Sequence, residues 1–503
     1  MLIFKMKKMK KLYIKISMII ISLTAFTACS DDFVNVDSND VTSEDFFNSE
    51  EDYQNALIGA YDLLQSTWIN AMLGEIASDN TLAGGESATD VIGIQEIDDM
   101  IHTPVNNDLR GIWGLMFAGI NRTNFILEFQ DKIDFSGKNQ IIAQARFLRA
   151  YYYFELVKWF GDVPLAIDKQ ILFGEESSYE RSPASEVYSL IEQDLMFASD
   201  NLPSVQTEAG RVTKGAAQAL LGKAYLYQDK FSEAAQVLEA LIQSGTYSLV
   251  TDYNTIFEED GENNVESVFE IQYTDVEGAG FGCLQCSEGN VAVGFSGIRN
   301  YEGPDFTSGF SFNVPVQEAY DAFDNDDQRR DIAILDINAW AASTGATFGT
   351  GNEHTGYFNR KYIPRTRSSN ALPDLNLTNP NNYRAIRYAD VLLMAAEANN
   401  RGGLNESKAQ EYLNQVRRRA FGDELHDVTA SGSSLTNAIY LERRLELVGE
   451  GHRFFDLVRT GKAAQEINGF QEGKHELFPI PAIEIQLAGN VWAQIQDIKK
   501  YIR

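Results

Sequence analysis

The chain has 503 residues, 44% of them hydrophobic, so it can form one large or two ordinary globular domains and is not disordered. Its formal charge of −30 argues against nucleic acid and anionic membrane surfaces as partners. After the N-terminal stretch, no segment has the long uncharged apolar run of a membrane helix. We therefore expect a well-solvated globular protein.

The first 28 residues have the features of a lipoprotein signal peptide, and Cys29 follows them directly. Four lysines between positions 7 and 11 precede an apolar run, residues 16–26, that is too short to span a bilayer comfortably. Small residues then lead to Cys29, whose thiol would carry the lipid. Loss of the six lysines of residues 1–28 would leave a charge of −36. The alternative is an ordinary cleaved signal followed by a chance cysteine.

Apolar residues at helical spacing predict a mainly α-helical scaffold. The predicted helices of the first half span residues 57–64, 113–129, 143–160, 186–198, 214–227 and 232–244. In the last two, Gly222 and Ala234 are small enough for close helix packing, and Leu238 is large enough to fill the gap. This spacing is typical of a tetratricopeptide repeat. Residues 388–400 and 407–419 form a looser copy, so helical-repeat parts are predicted at about 45–245 and 386–462.

Between about residues 247 and 384 the helical pattern gives way to glycine, asparagine and aromatic residues. Short strands are predicted at 268–273 and 356–363, and long loops at 274–315 and 337–380. Because long loops on a compact protein are often functional, this region is the predicted ligand-binding part.

Cys283 and Cys286 form a lone C-x-x-C pair. A zinc site would need two further ligands, and the glycines around the pair do not fit the context of a thioredoxin-like motif. Two interpretations remain open: a local disulfide, or two free thiols.

Five segments, taken in order, resemble the SusD/RagB family of outer-membrane nutrient-binding lipoproteins. They are residues 113–124 (WGLMFAGINRTN), 146–165 (RFLRAYYYFELVKWFGDVPL), 387–398 (RYADVLLMAAEA), 442–462 (ERRLELVGEGHRFFDLVRTGK) and 477–485 (LFPIPAIEI). The family often ends with an Asn-Pro-Gly-Tyr signature, whereas residues 489–492 here are Gly-Asn-Val-Trp, followed by a basic and aromatic tail, residues 499–503.

The resemblance implies one SusD-like domain over residues 29–503, with tetratricopeptide-like helix pairs and a loop-rich, minor-β ligand region. It also implies that the protein is not an enzyme but binds an oligo- or polysaccharide and delivers it to a TonB-dependent SusC-like transporter. Residues 30–32, Ser-Asp-Asp, resemble the acidic tag that directs Bacteroidetes-type lipoproteins to the outer face of the outer membrane. The expected location is therefore the cell surface, through a lipid anchor.

A neutral sugar needs flat aromatic side chains for stacking and polar side chains for its hydroxyl groups. We expect these in the segment after the first helix and in the central loops. The candidate ligand-binding residues are Trp340, Trp68, Tyr301, Asp79, Asn80 and Asn300. Trp340 is the leading candidate because no core pattern explains it. Phe281, Phe310 and Phe312 are weaker candidates, since phenylalanine more often only packs.

Two alternative functions and a calcium site are weighed against glycan binding. A surface glycoside hydrolase would need a carboxylate pair, and a catalytic pair with His452 is conceivable, although no hydrolase motif is present. The charged residues of the 442–462 segment are instead spaced for structural ion pairs. A peptide-binding member of the same family is the second alternative. Calcium is conceivable near residues 324–327, but the glycine spacing of an EF-hand is absent. Neither a metal nor a cofactor is therefore expected.

Overall fold

The computed structural model describes residues 46–278, 280–365 and 373–495. The predicted signal peptide, Cys29 and the tail at 499–503 lie outside the described residues. The described residues 46–52 belong to a separate small unit, in which the Asp52 carboxylate accepts hydrogen bonds from the backbone N–H groups of Asn48 and Ser49. The chain from Tyr53 onward forms one compact unit.

The protein is mainly helical, as predicted. In chain order the α-helices are α1 (Glu50–Asp62), α2 (Trp68–Ile76), α3 (Ile92–Asp98), α4 (Asn107–Glu128), α5 (Lys138–Phe160), α6 (Ala184–Asn201), α7 (Lys214–Leu226), α8 (Phe231–Gln243), α9 (Val291–Ser296), α10 (Gln317–Asp321), α11 (Arg330–Ala333), α12 (Ile337–Thr344), α13 (Tyr388–Arg401), α14 (Glu406–Phe421), α15 (Gly432–Leu447), α16 (Arg453–Arg459), α17 (Ala463–Glu466) and α18 (Ala482–Leu487). None of the helices in the described ranges is long and apolar enough to cross a membrane.

The helix pair α7 and α8 packs as the repeat pattern predicted. A Cβ atom at Gly222 would lie 2.5 Å from the Leu238 side chain, so only glycine allows the two helices to approach this closely. Helix α5 is buried on almost all sides, and Trp159 near its end is fully buried. The Arg149 guanidinium binds the carboxylate of Asp194 on α6 through two hydrogen bonds of 2.7 and 2.9 Å. This helical layer forms a rigid scaffold beside the central region.

The strands are short and form five separate two-stranded sheets in the described ranges. They are β1 (Thr81–Gly84), β2 (Val163–Pro164), β3 (Arg181–Ser182), β4 (Ser267–Ile271), β5 (Ile298–Arg299), β6 (Ser308–Gly309), β7 (Phe312–Pro315), β8 (Ile334–Asp336), β9 (Tyr357–Asn359) and β10 (Tyr383–Arg387). The antiparallel pairs are β1–β7, β2–β3, β4–β10 and β8–β9. Strands β5 and β6 run parallel, with Ile298 opposite Ser308 and Arg299 opposite Gly309.

The central region is more ordered than the sequence predicted, and the prediction of a loop around Trp340 is wrong. Helix α12 carries this residue. The Asp336 carboxylate caps the helix by accepting hydrogen bonds from two backbone N–H groups, those of Asn338 and Ala339, each 3.0 Å long. Gly345, with a φ of +78°, ends it. Short elements also interrupt the predicted loop at 274–315, which contains α9, β5, β6 and β7.

The pair Cys283–Cys286 forms a disulfide, which decides between the two readings that the sequence left open. At the C-terminal end, Trp492 lies where the family signature is missing. Its ring is buried, and its Nε1 donates a 2.6 Å hydrogen bond to the carbonyl oxygen of Tyr179. The ring centroid lies 5.8 Å from that of Trp113 on α4. A tryptophan therefore supplies the packing at this position.

Candidate functional site

The charged residues of the 442–462 segment belong to a buried ion-pair network. The Arg387 guanidinium binds carboxylate oxygens of Glu266, Glu446 and Glu450 at 2.7–2.8 Å. Burial alone would raise the pKa values of Glu446 and Glu450. The surrounding cations have the larger effect, so both pKa values are lowered. The network therefore holds charges in fixed pairs, as structural ion pairs do.

His452 lies beside this network and has no arrangement suited to acid–base catalysis. Burial, together with the Lys223 ammonium 3.2 Å from its Nδ1, lowers the pKa of His452 to about 3. The Lys223 ammonium also binds Asp390, whose carboxylate accepts a 2.6 Å hydrogen bond from Arg443. The Asp390 carboxylate is thus already paired with two cations. The arrangement supports the structural interpretation of this segment over the catalytic one.

Two of the candidate ligand residues, Trp68 and Asn80, are buried inside the protein. Trp68, at the start of α2, is only 5% exposed and packs 5.6 Å from the ring of Phe295. Asn80 is fully buried: its amide donates to Glu75 Oε1 at 3.0 Å, and its Oδ1 accepts from Arg444 Nε at 2.8 Å. The structure therefore places these two side chains in the interior and not on an exposed surface.

The third candidate, Asp79, forms ion pairs with two arginines of the folded chain. Its two carboxylate oxygens accept hydrogen bonds of 2.7 and 2.8 Å from Arg453, and Arg444 lies 3.1 Å away. Both arginines come from the C-terminal helical part, more than 360 residues further along the chain. The polar run after the first helix therefore joins distant parts of the fold.

The other three candidates lie together at one end of the central region. The Trp340 side chain is half-buried, and its Nε1 donates a 2.9 Å hydrogen bond to the hydroxyl oxygen of Tyr301. The Tyr301 hydroxyl in turn donates to the carbonyl oxygen of Pro304 at 2.7 Å. The Phe306 ring packs 5.3 Å from the Trp340 ring. Tyr301 and Phe306 are buried, so they fix the indole while part of its surface stays exposed.

Asn300 precedes Tyr301 and is exposed, with a φ of +49°. Its side chain borders Gly349, where a Cβ atom would lie 3.0 Å from the Asn300 amide nitrogen. The backbone N–H of Gly349 donates a 2.7 Å hydrogen bond to the carbonyl oxygen of Arg299. The loop after α12 therefore packs against the residues that carry Asn300. The Asn300 side chain is thus exposed next to Tyr301, the residue that accepts the Trp340 hydrogen bond.

Backbone hydrogen bonds join three segments into one surface, which we call the ligand face: residues 84–91, 299–311 and 340–354. Glu302 and Thr347 exchange two backbone bonds of 2.9 and 3.0 Å. The N–H of Asn352 donates to the carbonyl oxygen of Gly85 at 2.8 Å, and Gly85 donates to that of Ser311 at 2.8 Å. These bonds hold the polar and aromatic side chains of three distant segments in fixed positions.

Sequence reasoning missed two rings on the ligand face, those of Phe348 and His354. Both are partly buried, and their centroids are 5.7 Å apart. Burial lowers the pKa of His354, so the imidazole is neutral at pH 7. A single glycine-rich segment, residues 345–356, contains both rings, but the sequence offered no signal to separate them from packing residues. Phe348 packs against the same buried cluster as Trp340, so the ligand face carries more aromatic surface than the sequence predicted.

The ligand face is acidic. Glu86, Glu302, Asp305 and Glu353 are exposed on it, whereas Arg299 is its principal cation. Beneath the face, burial and the nearby Glu353 carboxylate raise the pKa of Asp98 to about 7. This excess of carboxylates disfavours an anionic ligand and suits an uncharged one. In the described ranges, no three His, Cys, Asp or Glu side chains are placed to hold a metal ion.

Aromatic and amide groups on a helical-repeat scaffold are the combination that the family resemblance implies. Two family models match the chain: one described as "SusD family" over residues 256–479, and one described as "Starch-binding associating with outer membrane" over residues 32–226. The chain belongs to the SusD family.

Similar proteins cover nearly the whole chain. SusD-like protein P2 from Formosa agariphila is 28% identical over 95% of this chain and 98% of its own length. A solved structure of a laminarin binding SusD-like protein is 36% identical, with a TM-score of 0.81, and covers 89% of this chain and 99% of that one. Surface glycan-binding protein A from Bacteroides thetaiotaomicron, solved in complex with laminarihexaose, is 29% identical, with a TM-score of 0.78, covering 88% and 99%.

Proposed function

We propose that this protein is a surface lipoprotein of the outer membrane that binds a neutral glycan of the laminarin type without cleaving it. The observation that carries the proposal is the half-buried Trp340, fixed by Tyr301 beside the exposed amide of Asn300. An indole presents a flat apolar surface for a sugar ring, and the amide can donate to and accept from hydroxyl groups. The 36% identical laminarin binding relative supports the choice of glycan.

We expect purified protein to bind laminarihexaose and laminarin in isothermal titration calorimetry, and to bind an anionic polysaccharide such as alginate much more weakly. The acidic side chains of the ligand face are the reason. We also expect no new reducing ends in the same mixtures, since the Asp390 carboxylate near His452 is already bound by Lys223 and Arg443. Stronger binding of alginate would contradict the neutral-glycan assignment. Release of reducing ends above a heat-killed control would contradict the binding-only role.

We propose further that Cys29 carries a lipid that anchors the protein on the outer face of the outer membrane. The supporting features are the signal at residues 1–28 and the acidic residues after Cys29. Cys29→Ala should move the protein from the membrane fraction to the soluble fraction. An external protease should degrade the wild-type protein on intact cells. Full-length survival on intact cells, with cleavage in lysed cells, would contradict the outward orientation.

Delivery to a SusC-like TonB-dependent transporter completes the proposed function, and family membership supports it. A tagged copy expressed under inducing conditions should recover a β-barrel transporter in mild detergent. The helical scaffold offers a broad surface for such a complex, and buried area should dominate its stability. Recovery of the tagged protein without any barrel partner would contradict this part of the proposal.

A further inference from the structure

A small cavity lies between α2, α9, β7 and β9, and none of the residues that line it belongs to the ligand face. Its volume of about 20 Å³ is the space that one water molecule or one small ion fills. Three asparagines that are only 1–3% exposed line it: Asn290, Asn313 and Asn359. Ala71 and Ala292, also in its wall, are partly buried, so the cavity extends toward the surface. The cavity is therefore polar and reachable from solvent.

The carboxamide groups of these asparagines leave three oxygen atoms beside the cavity. In the described ranges, the Oδ1 atom of each is buried without a hydrogen-bond partner. The amide nitrogens are occupied: Asn290 Nδ2 donates to the carbonyl oxygen of Asn381 at 3.0 Å, and Asn359 Nδ2 donates to that of Gly449 at 2.9 Å. Turning either carboxamide over would place its oxygen against a carbonyl oxygen, so the orientation is defined. A ligand in the cavity must therefore satisfy acceptors and not donors.

Three acceptors around so small a space favour a cation over a water molecule. A water molecule has two hydrogen atoms, so it can donate to only two of the three oxygens. A cation can bind all three at once, as hard cations do with carbonyl and carboxamide oxygens. Among the described residues, no carboxylate lines the cavity, which disfavours a divalent ion. The small volume disfavours potassium, which needs more room than sodium. The arrangement is therefore suited to sodium.

A buried carboxyl group next to the cavity adds to this preference. Glu75 lies on α2, one helical turn after Ala71, and is fully buried. Its Oε1 accepts from the Asn80 amide and its Oε2 from the backbone N–H of Gly451, each at 3.0 Å, and both donors are neutral. The Gly449 backbone is also hydrogen-bonded to Glu75, and it lines the cavity. A cation in the cavity therefore stabilises the negative charge of Glu75 through space.

We propose that Asn290, Asn313 and Asn359 bind one sodium ion through their Oδ1 atoms. The ion joins the residue before α9 to strands β7 and β9, which come from separate parts of the chain. Strand β7 pairs with β1, and β9 pairs with β8, after which α12 begins. The site therefore connects elements that lead into the ligand face, but it takes a different ligand, and the inference does not depend on glycan binding.

The first test uses the purified protein without substitutions, in buffers with EDTA to remove divalent ions. Thermal scans compare sodium chloride, potassium chloride and choline chloride at equal ionic strength. The melting temperature should be about 2 °C higher in sodium than in choline, because an ion that binds only the folded state stabilises it. Potassium should give a smaller rise. Screening of the acidic surface is common to the three salts, so equal melting temperatures would overturn the proposal.

Substitutions of Asn313 test the ligand atoms, and its φ of +56° suits glycine and aspartate. Asn313→Gly removes one oxygen and should abolish the rise in sodium. Asn313→Asp replaces a neutral oxygen by a charged one and should enlarge that rise roughly twofold, because a carboxylate binds a cation more strongly. The matched control is Asn400→Ala. Asn400 also has a buried Oδ1 without a partner in the described ranges, but it lies on α13 and does not line the cavity, so the sodium effect should persist.

The outcomes distinguish the ion from its alternatives. Equal melting of the wild type in all three salts, with Asn313→Asp destabilised equally in each, would assign the cavity to an ordered water molecule and overturn the proposal. Stabilisation by calcium in buffers without EDTA, with none by sodium, would assign it to a divalent ion and also overturn the proposal. Loss of the sodium effect in Asn400→Ala would show that the effect does not arise at this cavity. If neither Asn313 variant folds, the wild-type comparison of the three salts still decides.

Discussion

Replacing Trp340 by alanine should weaken binding of laminarihexaose roughly five- to thirty-fold, since one sugar stacked on an indole contributes about 1–2 kcal/mol. The substitution should also affect folding stability. Because the indole packs on Phe306 and donates to Tyr301, its loss should also lower the melting temperature slightly. Calorimetric titration and a thermal scan of the same sample measure the two effects separately.

Trp159 is the matched control for Trp340. It is fully buried at the end of α5, with its ring 5.1 Å from Phe455 and 4.7 Å from Phe478. Its replacement by alanine should cost about 3–5 kcal/mol of folding free energy, and it should lower the melting temperature far more than Trp340→Ala does. Glycan affinity of the folded fraction should stay at the wild-type value. Wild-type affinity in Trp340→Ala would show that this indole only packs.

Tyr301→Phe isolates the positioning of the indole from its stacking surface. The substitution removes the hydroxyl that accepts from Trp340 Nε1 and keeps the buried ring. Affinity should fall less than with Trp340→Ala, because the indole remains but is held less firmly. An effect as large as that of Trp340→Ala would mean that the orientation of the ring, more than its surface, determines binding.

The sequence predicted the helical scaffold well because its helices are long and carry regular apolar patterns. The prediction at 388–400 matches helix α13 to within one residue, and the close approach of α7 and α8 follows from Gly222 and Leu238. Helix α12 was missed for a physical reason: only Ile337 among its eight residues is buried, so it shows no apolar period. Its remaining signals were the capping Asp336 and the terminating Gly345.

The candidate site was predicted only in part, because partners far apart in the chain decide which side chains are exposed. Asp79 looked like a surface residue until Arg453, 374 positions away, was found to bind it. Trp68 looked isolated, but Phe295 covers its ring. Local composition indicated Trp340, Tyr301 and Asn300 as candidates. The fold brings them together through backbone hydrogen bonds between the segments that carry them. No local pattern reveals such long-range pairing.

A stability effect as large as that of Trp159→Ala should come from the buried ion-pair network. Arg387→Met removes a guanidinium that is 1% exposed and binds Glu266, Glu446 and Glu450. These carboxylates would then be buried without a cation that all three share, and breaking such a buried pair typically costs about 3–5 kcal/mol. Denaturant unfolding at pH 7 measures this loss. The control is Arg110→Met, which breaks a 2.9 Å pair with Glu484 at the surface and should cost about 0–1 kcal/mol.

The effect of Arg387→Met should depend on pH in a defined direction. In the wild type, the pKa values of Glu446 and Glu450 are lowered, so the network stabilises the fold above the ordinary carboxylate range and loses that contribution as the pH falls. In the variant, the same buried carboxylates lack Arg387, so their pKa values rise and they can protonate at mildly acidic pH. The stability difference between variant and wild type should therefore be largest at pH 7 and shrink toward pH 5. A difference that grows on acidification would mean that Arg387 does not hold these carboxylates in their charged form.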